Sequence, residues 1–174
     1  FQHPTKKAMQ MIQWPYYPKS RVAPPIATDV VAAFEAVFAD IDSTQHTLES
    51  NLVLQAIAPH LTLAGFAVEV GKAKVDKVKM AVLFGRSGRV EKSFDADAHH
   101  AENGFVLEVE AGRGVVNNQF LKDLFQACMM HDVKFLGIAV RNIYRQSPDF
   151  EKVNRFFDTS NAKGGNAKAA IWER

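Results

Sequence analysis

The chain contains a single cysteine, Cys128, among its 174 residues. It can therefore form neither an intrachain disulfide nor a cysteine-rich metal site, which predicts a reducing compartment, most simply the cytoplasm. No apolar run reaches the roughly 20 residues that a transmembrane helix needs, so we expect no membrane partner. The first residues, FQHPTKKAMQMIQWPYYP, contain no apolar core and no small-residue cleavage site. We therefore expect no secretory signal here.

Composition excludes disorder across the whole chain. The hydrophobic fraction is 47%, the charged fraction is 23%, and thirteen residues are phenylalanine. A chain of this length and composition can bury a sizeable core, which favours a single domain spanning residues 1–174.

Basic residues are missing from two stretches of the chain. No Lys or Arg occurs between Val22 and Gly71, and none occurs from Ser93 to Gly112. The second stretch carries five acids: Asp95, Asp97, Glu102, Glu108 and Glu110. Basic segments flank it, a distribution typical of a metal site that handles phosphates. Ordinary clustering of surface charge is the alternative interpretation.

The predicted elements run helix, helix, three or four strands, helix, strand, helix. This order predicts an α/β fold: a central mixed sheet with an antiparallel meander and a helical crossover, and helices on both faces. Residues 1–27 are rich in proline and predict an extended arm, while residues 147–174 predict a C-terminal helix and tail. Thr28 is the expected N-cap of the first helix.

The second predicted helix begins at Ser43 or Thr44, and Pro59 is expected to kink or end it. Further along the chain, Asn103-Gly104 is a strong signal for a two-residue hairpin turn.

That turn places an unusual set of side chains on one face of a hairpin. With two turn residues, Asp97 pairs with Glu110 and His99 pairs with Glu108. Strand alternation then gathers Asp95 with these four residues, and apolar side chains occupy the other face. Opposed carboxylates destabilise a sheet unless a cation lies between them, and oxygen ligands favour Mg²⁺, Mn²⁺ or Ca²⁺. The alternative is that this face is the solvent side of an amphipathic hairpin.

This acidic hairpin, followed by a helix and a buried strand, resembles the PD-(D/E)xK nuclease superfamily, whose fold is restriction endonuclease-like. The resemblance covers residues 43–144, the expected nuclease-like core. Glu108-Val109-Glu110 departs from the usual acid-x-Lys ending and resembles the BamHI and BglII type. The resemblance makes Asp97 the motif aspartate, Glu108 the motif acid and Glu110 the occupant of the lysine position. Asp95 competes for the aspartate position, and Glu49 resembles the extra helix-borne acid of many members.

The resemblance implies a metal-dependent endonuclease that hydrolyses DNA phosphodiester bonds with Mg²⁺ or Mn²⁺ and acts as a homodimer. Asp97 and Glu108 would bind the metal, with Asp95 and Glu49 as further ligands, and Glu110 would accept the proton of the attacking water. The alternative is a non-catalytic nucleic-acid-binding or interaction module that kept the fold.

Other polar residues are expected to assist. His99 is a candidate acid-base group, and Arg113 and Lys122 are candidates to replace the missing lysine. Six further cations are candidates for contacts with the DNA backbone: Lys72, Lys74, Lys77, Lys79, Arg86 and Arg89. Their alternative role is to protect an exposed strand edge from aggregation.

Overall fold

The computed structural model describes residues 12–71, 73, 76–112, 119–143 and 148–162, with side chains as far as residue 156. The helices are α1 (Pro25–Ala36), α2 (Phe38–Ile41), α3 (Ser50–Leu63), α4 (Gln119–Met129) and α5 (Asp149–Ala162). The strands are β1 (Ala67–Val68), β2 (Val78–Phe84), β3 (Val90–Ala96), β4 (Ala98–His100), β5 (Phe105–Glu110) and β6 (Phe135–Val140). A 3-10 turn, Arg86–Gly88, joins β2 to β3.

A mixed four-stranded sheet forms the centre of the molecule, in the order β1-β4-β5-β6. The parallel pair β5 and β6 is connected through α4, because parallel neighbours need a crossover. Leu107 and Val109 on β5 pack in one core with α1 and α3, while Val106 packs in a second core with α4. The predicted α/β class, the helical crossover and the helices on both faces are confirmed.

The expected meander within one sheet is wrong. Strands β2 and β3 form a separate two-stranded sheet, and the chain breaks at Asp97 before it enters β4. The hairpin lies against α4, because Met80 and Ala96 belong to the core that α4 covers. The backbone N–H of His131, just beyond α4, donates to the carbonyl of Ala81 at 2.7 Å.

The predicted two-residue turn is also wrong. His100 pairs with Phe105, so the loop contains four residues, 101–104. The Nδ1 atom of His100 accepts a hydrogen bond from the Asn103 backbone N–H at 3.3 Å, which stabilises the longer loop. His99 consequently pairs with Val106, and the predicted pairs of Asp97 with Glu110 and His99 with Glu108 do not form. Because the register differs by two residues, the side chains of β4 and β5 keep their predicted faces.

Gly104 ends this loop with a φ of +63°, and a Cβ built there would lie 2.5 Å from the Asp132 carbonyl oxygen. We expect Gly104→Ala to lower the free energy of unfolding by about 1–3 kcal/mol, which urea denaturation would measure. Gly88→Ala is the matched control, because Gly88 has a φ of +71° and, apart from its two chain neighbours, no described residue lies within 4 Å of the position that a Cβ would take there. Equal losses for the two variants would mean that backbone conformation, not the close approach to Asp132, accounts for the effect.

Two helix starts differ from expectation. α1 begins at Pro25 rather than after Thr28, because proline is well suited to the first turn of a helix. The Asp42 carboxylate accepts hydrogen bonds from the Thr44 backbone N–H at 2.9 Å and its hydroxyl at 2.8 Å. These bonds form a local turn, so α3 begins later, at Ser50, and it continues through Pro59.

Candidate active site

The acids of β5 meet α4 on one side of the sheet. Glu108 and Glu110 alternate with Val109 and therefore share the face of Val106, which α4 covers. Asp123 of α4 is 2% exposed on the same side. We call Asp97, Glu108, Glu110 and Asp123 the acid cluster.

Asp97 joins the cluster because the chain bends there. The bend removes the strand that would otherwise pair with the end of β5. The Asp97 carboxylate takes the place of that strand and accepts a hydrogen bond from the Val109 backbone N–H at 2.7 Å. This bond fixes Asp97 beside Glu108, and the charge of Asp97 raises the pKa of Glu108.

Glu110 and Asp123 lie within hydrogen-bonding reach of each other, so two carboxyl groups face each other across the interface between β5 and α4. Oδ2 of Asp123 is buried and has no donor among the described residues. Lys122 Nζ approaches Oδ1 of Asp123 at 3.2 Å. Burial alone would lower the pKa of Lys122, but Asp123, Glu110 and Glu108 raise it, which indicates that its ammonium group belongs to the site.

Burial and mutual repulsion raise the pKa values of the cluster. Burial raises the pKa of Glu108 to about 9, with Asp97 and Asp123 adding to the effect. Burial and Asp123 raise the pKa of Glu110 to about 7. Burial raises the pKa of Asp97 to about 6, although its hydrogen bond from Val109 opposes the shift. The cluster therefore retains protons near neutral pH unless a cation replaces them.

A second ion pair borders the cluster. The Lys77 ammonium group contacts the Glu69 carboxylate, and the Glu69 backbone N–H donates to the Asp97 carbonyl at 2.8 Å. The hydrogen bond to Glu69 raises the pKa of Lys77, and the charges of Asp95 and Asp97 add to this. Lys77 is therefore a cation beside Asp97, paired with an acid.

Asp95 lies outside the acid cluster, contrary to the expected shared face. Its exposed carboxylate forms an ion pair with Lys79, its cross-strand neighbour in the β2–β3 hairpin. The separation follows from the break at Asp97, which places Asp95 in the other sheet. The structure thus places Asp97, and not Asp95, beside Glu108.

Glu49 is exposed and directly precedes α3. The neighbouring Ser50 hydroxyl accepts a hydrogen bond from the Ala111 backbone N–H at 3.0 Å. The start of α3 therefore lies at the end of β5, one residue beyond Glu110. The resemblance made Glu49 a metal ligand by its position in the order of elements alone, and in the structure it is exposed and is not one of the four residues of the acid cluster.

His99 is on the cluster's face of β4, opposite Val106. Burial and His100 lower its pKa, so a carboxylate does not dominate the electrostatics of its ring. Its Nε2 atom is buried without a partner among the described residues. His100 packs edge-on against Phe66 on the opposite side, at 5.2 Å between ring centroids.

Three predicted cations, Lys72, Lys74 and Arg113, lie outside the described residues. Arg86 and Arg89 are exposed at the tip of the hairpin. Lys77 and Lys79 nearer its base are both paired with acids.

Sequence reasoning missed Asp123 and the pairing of Glu69. A signal for Asp123 was present, because it lies three residues after Phe120 and four before Ala127, on the apolar stripe of α4. An acid on a buried stripe needs a partner. The Glu69 contact depends on the bend at Asp97, and no local pattern in the sequence marked that bend.

The described part of the chain contains no group of three or more His, Cys, Asp or Glu side chains already arranged around a metal position. The donor set nevertheless suits a hard divalent cation, since it consists of carboxylates, and the buried Oδ2 of Asp123 has no donor among the described residues. Any such ion at the cluster would be held by Asp97, Glu108, Glu110 and Asp123, which the structure does not arrange as a metal-binding group.

Comparisons with protein-family models, curated proteins and solved structures found no match to this chain. Within the described residues, no helix has the length and apolar character needed to cross a membrane.

Proposed function

We propose that this protein is a metal-dependent nuclease that hydrolyses DNA phosphodiester bonds. The observation that carries the proposal is the acid cluster, four carboxyl groups whose pKa values are all raised, chiefly by burial. The ammonium group of Lys122 lies beside one of them, Asp123. Asp123 is buried and the other three acids are half-buried. Carboxyl groups that are shielded from solvent and repel one another are costly to a fold, and their concentration in one place is typical of functional sites. The restriction endonuclease-like assignment of the fold is part of this proposal.

Each residue has a role that follows from its position. Asp97 and Glu108 would hold Mg²⁺ or Mn²⁺, with Asp123 as a further ligand. Such an ion supplies charge stabilisation at the phosphate and acidifies water. Glu110, which lies beside these ligands, would accept the proton of the attacking water. Lys122 would offset the charge that develops on the phosphate, in place of the missing motif lysine.

The test is cleavage of supercoiled plasmid with Mg²⁺, Mn²⁺, Ca²⁺ or EDTA. We expect nicked and linear products with Mg²⁺ or Mn²⁺ and none with EDTA. Discrete bands would indicate sequence specificity. Absence of cleavage with every metal, by protein that binds duplex DNA, would overturn the catalytic proposal.

The second candidate is a nucleic-acid-binding module without catalysis. The observation that favours it is the lack of a preassembled metal group among the described residues, together with the raised pKa of Glu108. Isothermal titration with Mn²⁺ separates the two proposals. A nuclease should bind the ion and release protons, whereas the binding module should do neither.

A duplex has two strands, so we also propose a homodimer that presents two sites. A cytoplasmic location remains part of the proposal. Sedimentation of the protein with and without a short duplex would show whether two chains assemble.

The exposed hairpin tip is the part of the surface proposed to contact the DNA backbone. We expect Arg86→Gln and Arg89→Gln each to weaken duplex binding and to reduce the slope of log affinity against log salt by about 0.9. Lys79→Gln removes the same charge from the same hairpin, but Lys79 is already paired with Asp95, so we expect little change. Fluorescence anisotropy across a salt series in EDTA measures all three. Equal slopes for all three variants would contradict a role for the tip.

A further inference from the structure

A cavity of about 170 Å³ lies on the side of the sheet opposite the acid cluster. Leu107 and Val109 form part of its wall, and they alternate along β5 with the acids Glu108 and Glu110. The cavity is therefore separate from the proposed nuclease site, although both use the same strand.

The walls of this cavity are unusually aromatic. Five aromatic residues from five parts of the chain line it: Trp14, Phe34, Phe38, Phe105 and Phe150. Phe105 is fully buried, whereas Trp14 is 39% exposed. Rings of this kind favour an aromatic guest through edge-to-face and offset contacts.

Small residues on β6 leave this space open. Ala139 lies beside Val109 in the parallel ladder, and Gly137 lies beside Leu107. A Cβ at Gly137 would lie 3.0 Å from the Phe105 ring, so glycine at this position leaves room for the ring that forms part of the cavity wall. Interiors are normally close-packed, and an apolar space of about 150 Å³ is enough to bind benzene.

One end of the cavity is polar. Two neighbouring segments supply its polar lining residues: Asp42, Ser43 and His46 before α3, and Arg141 and Asn142 after β6. Both oxygens of the Asp42 carboxylate already accept hydrogen bonds from Thr44. The Ser43 hydroxyl accepts a hydrogen bond from the Ile143 backbone N–H at 3.4 Å and can still donate its own proton. His46 and Gln13 are exposed lining residues, so the cavity opens to solvent.

We propose that this cavity binds a single-ring aromatic molecule that carries one uncharged hydrogen-bonding group, as a phenol or a benzyl alcohol does. The ring lies among the aromatic walls, and the hydroxyl group meets the polar end at Ser43 and Asn142. Neither the acid cluster nor a metal ion takes part in this binding.

The probe is benzyl alcohol, titrated into the full chain and followed by NMR. We expect saturable binding with intermolecular NOEs from the ring protons to the methyl groups of Leu107 and Val109. Ala139→Leu should weaken the affinity by at least about tenfold, because the added side chain fills the space. Ala81→Leu is the matched control, a half-buried strand alanine in the separate β2–β3 hairpin, and it should bind like the wild type.

Circular dichroism and thermal melts establish that both variants fold. No saturable binding would overturn the proposal, as would NOEs confined to other methyl groups, or equal affinity for Ala139→Leu and the wild type. Cyclohexane of similar size should bind more weakly than benzyl alcohol, and the reverse order would contradict the polar end.

Discussion

Glu108→Gln should abolish metal-dependent cleavage of DNA, with a rate loss of at least about 10²- to 10³-fold in both Mg²⁺ and Mn²⁺. The reason is specific to this side chain. After burial, the charges of Asp97 and Asp123 contribute most to the raised pKa of Glu108, so this side chain interacts with both of the other proposed ligands. Its replacement would remove a ligand from the centre of the cluster. Plasmid nicking under single-turnover conditions gives the rate.

The same variant should fold and bind DNA. Burial keeps the Glu108 carboxyl group protonated near neutral pH in the absence of a cation, and glutamine has nearly the same shape as that neutral form. The substitution leaves every Lys and Arg side chain in place, so the affinity for duplex DNA in EDTA should not fall. Glu102→Gln, the same substitution at an exposed loop position, is the control for the general effect of charge. Full activity in Glu108→Gln would place the chemistry elsewhere.

The sequence predicted which side chains share the site's face better than it predicted how the strands pair. The assumed turn had two residues and the actual loop has four, so Asp97 was paired with the wrong residue. An even error in register leaves the faces of the β4 and β5 side chains unchanged, so Glu108 and Glu110 lie on the predicted face. The bend at Asp97 brings its carboxylate beside them. An odd error would have placed them in the core.

The features that escaped sequence analysis depend on tertiary packing. Asp95 and Asp97 have the same local pattern, and only the bend between β3 and β4 separates them. That bend brings Met80 and Ala96 of the hairpin into the α4 core, a contact between segments more than twenty residues apart. Lys122 was one of two equal candidates for the missing lysine, and the packing of α4 on β5 places it beside Asp123.

The metal-free protein should lose stability as the pH rises between about pH 5 and pH 9. An unfolded chain releases its carboxyl protons near the ordinary values of 3.8 for Asp and 4.5 for Glu, whereas in the fold the pKa is about 6 for Asp97, about 7 for Glu110 and about 9 for Glu108. Across this window the folded state therefore holds more protons than the unfolded state, and its stability falls with rising pH. Each retained proton contributes a slope of at most about 1.4 kcal/mol per pH unit, less where solvent screens the group.

Glu108→Gln tests the loss of stability above about pH 7, where Glu108 is the acid with the highest pKa of the three. The variant cannot ionise at this position, so its stability should decline less steeply above about pH 7. At pH 9 its free energy of unfolding should exceed that of the wild type by about 1–3 kcal/mol.

Mg²⁺ should stabilise the wild type more at pH 8 than at pH 6, because the ion must displace the retained protons, and it should have little effect on the variant. Urea denaturation in EDTA and in Mg²⁺ across this pH range measures both effects. Identical pH profiles for the two proteins in EDTA would contradict the half-buried, proton-retaining carboxyl group at Glu108 from which the metal site is inferred.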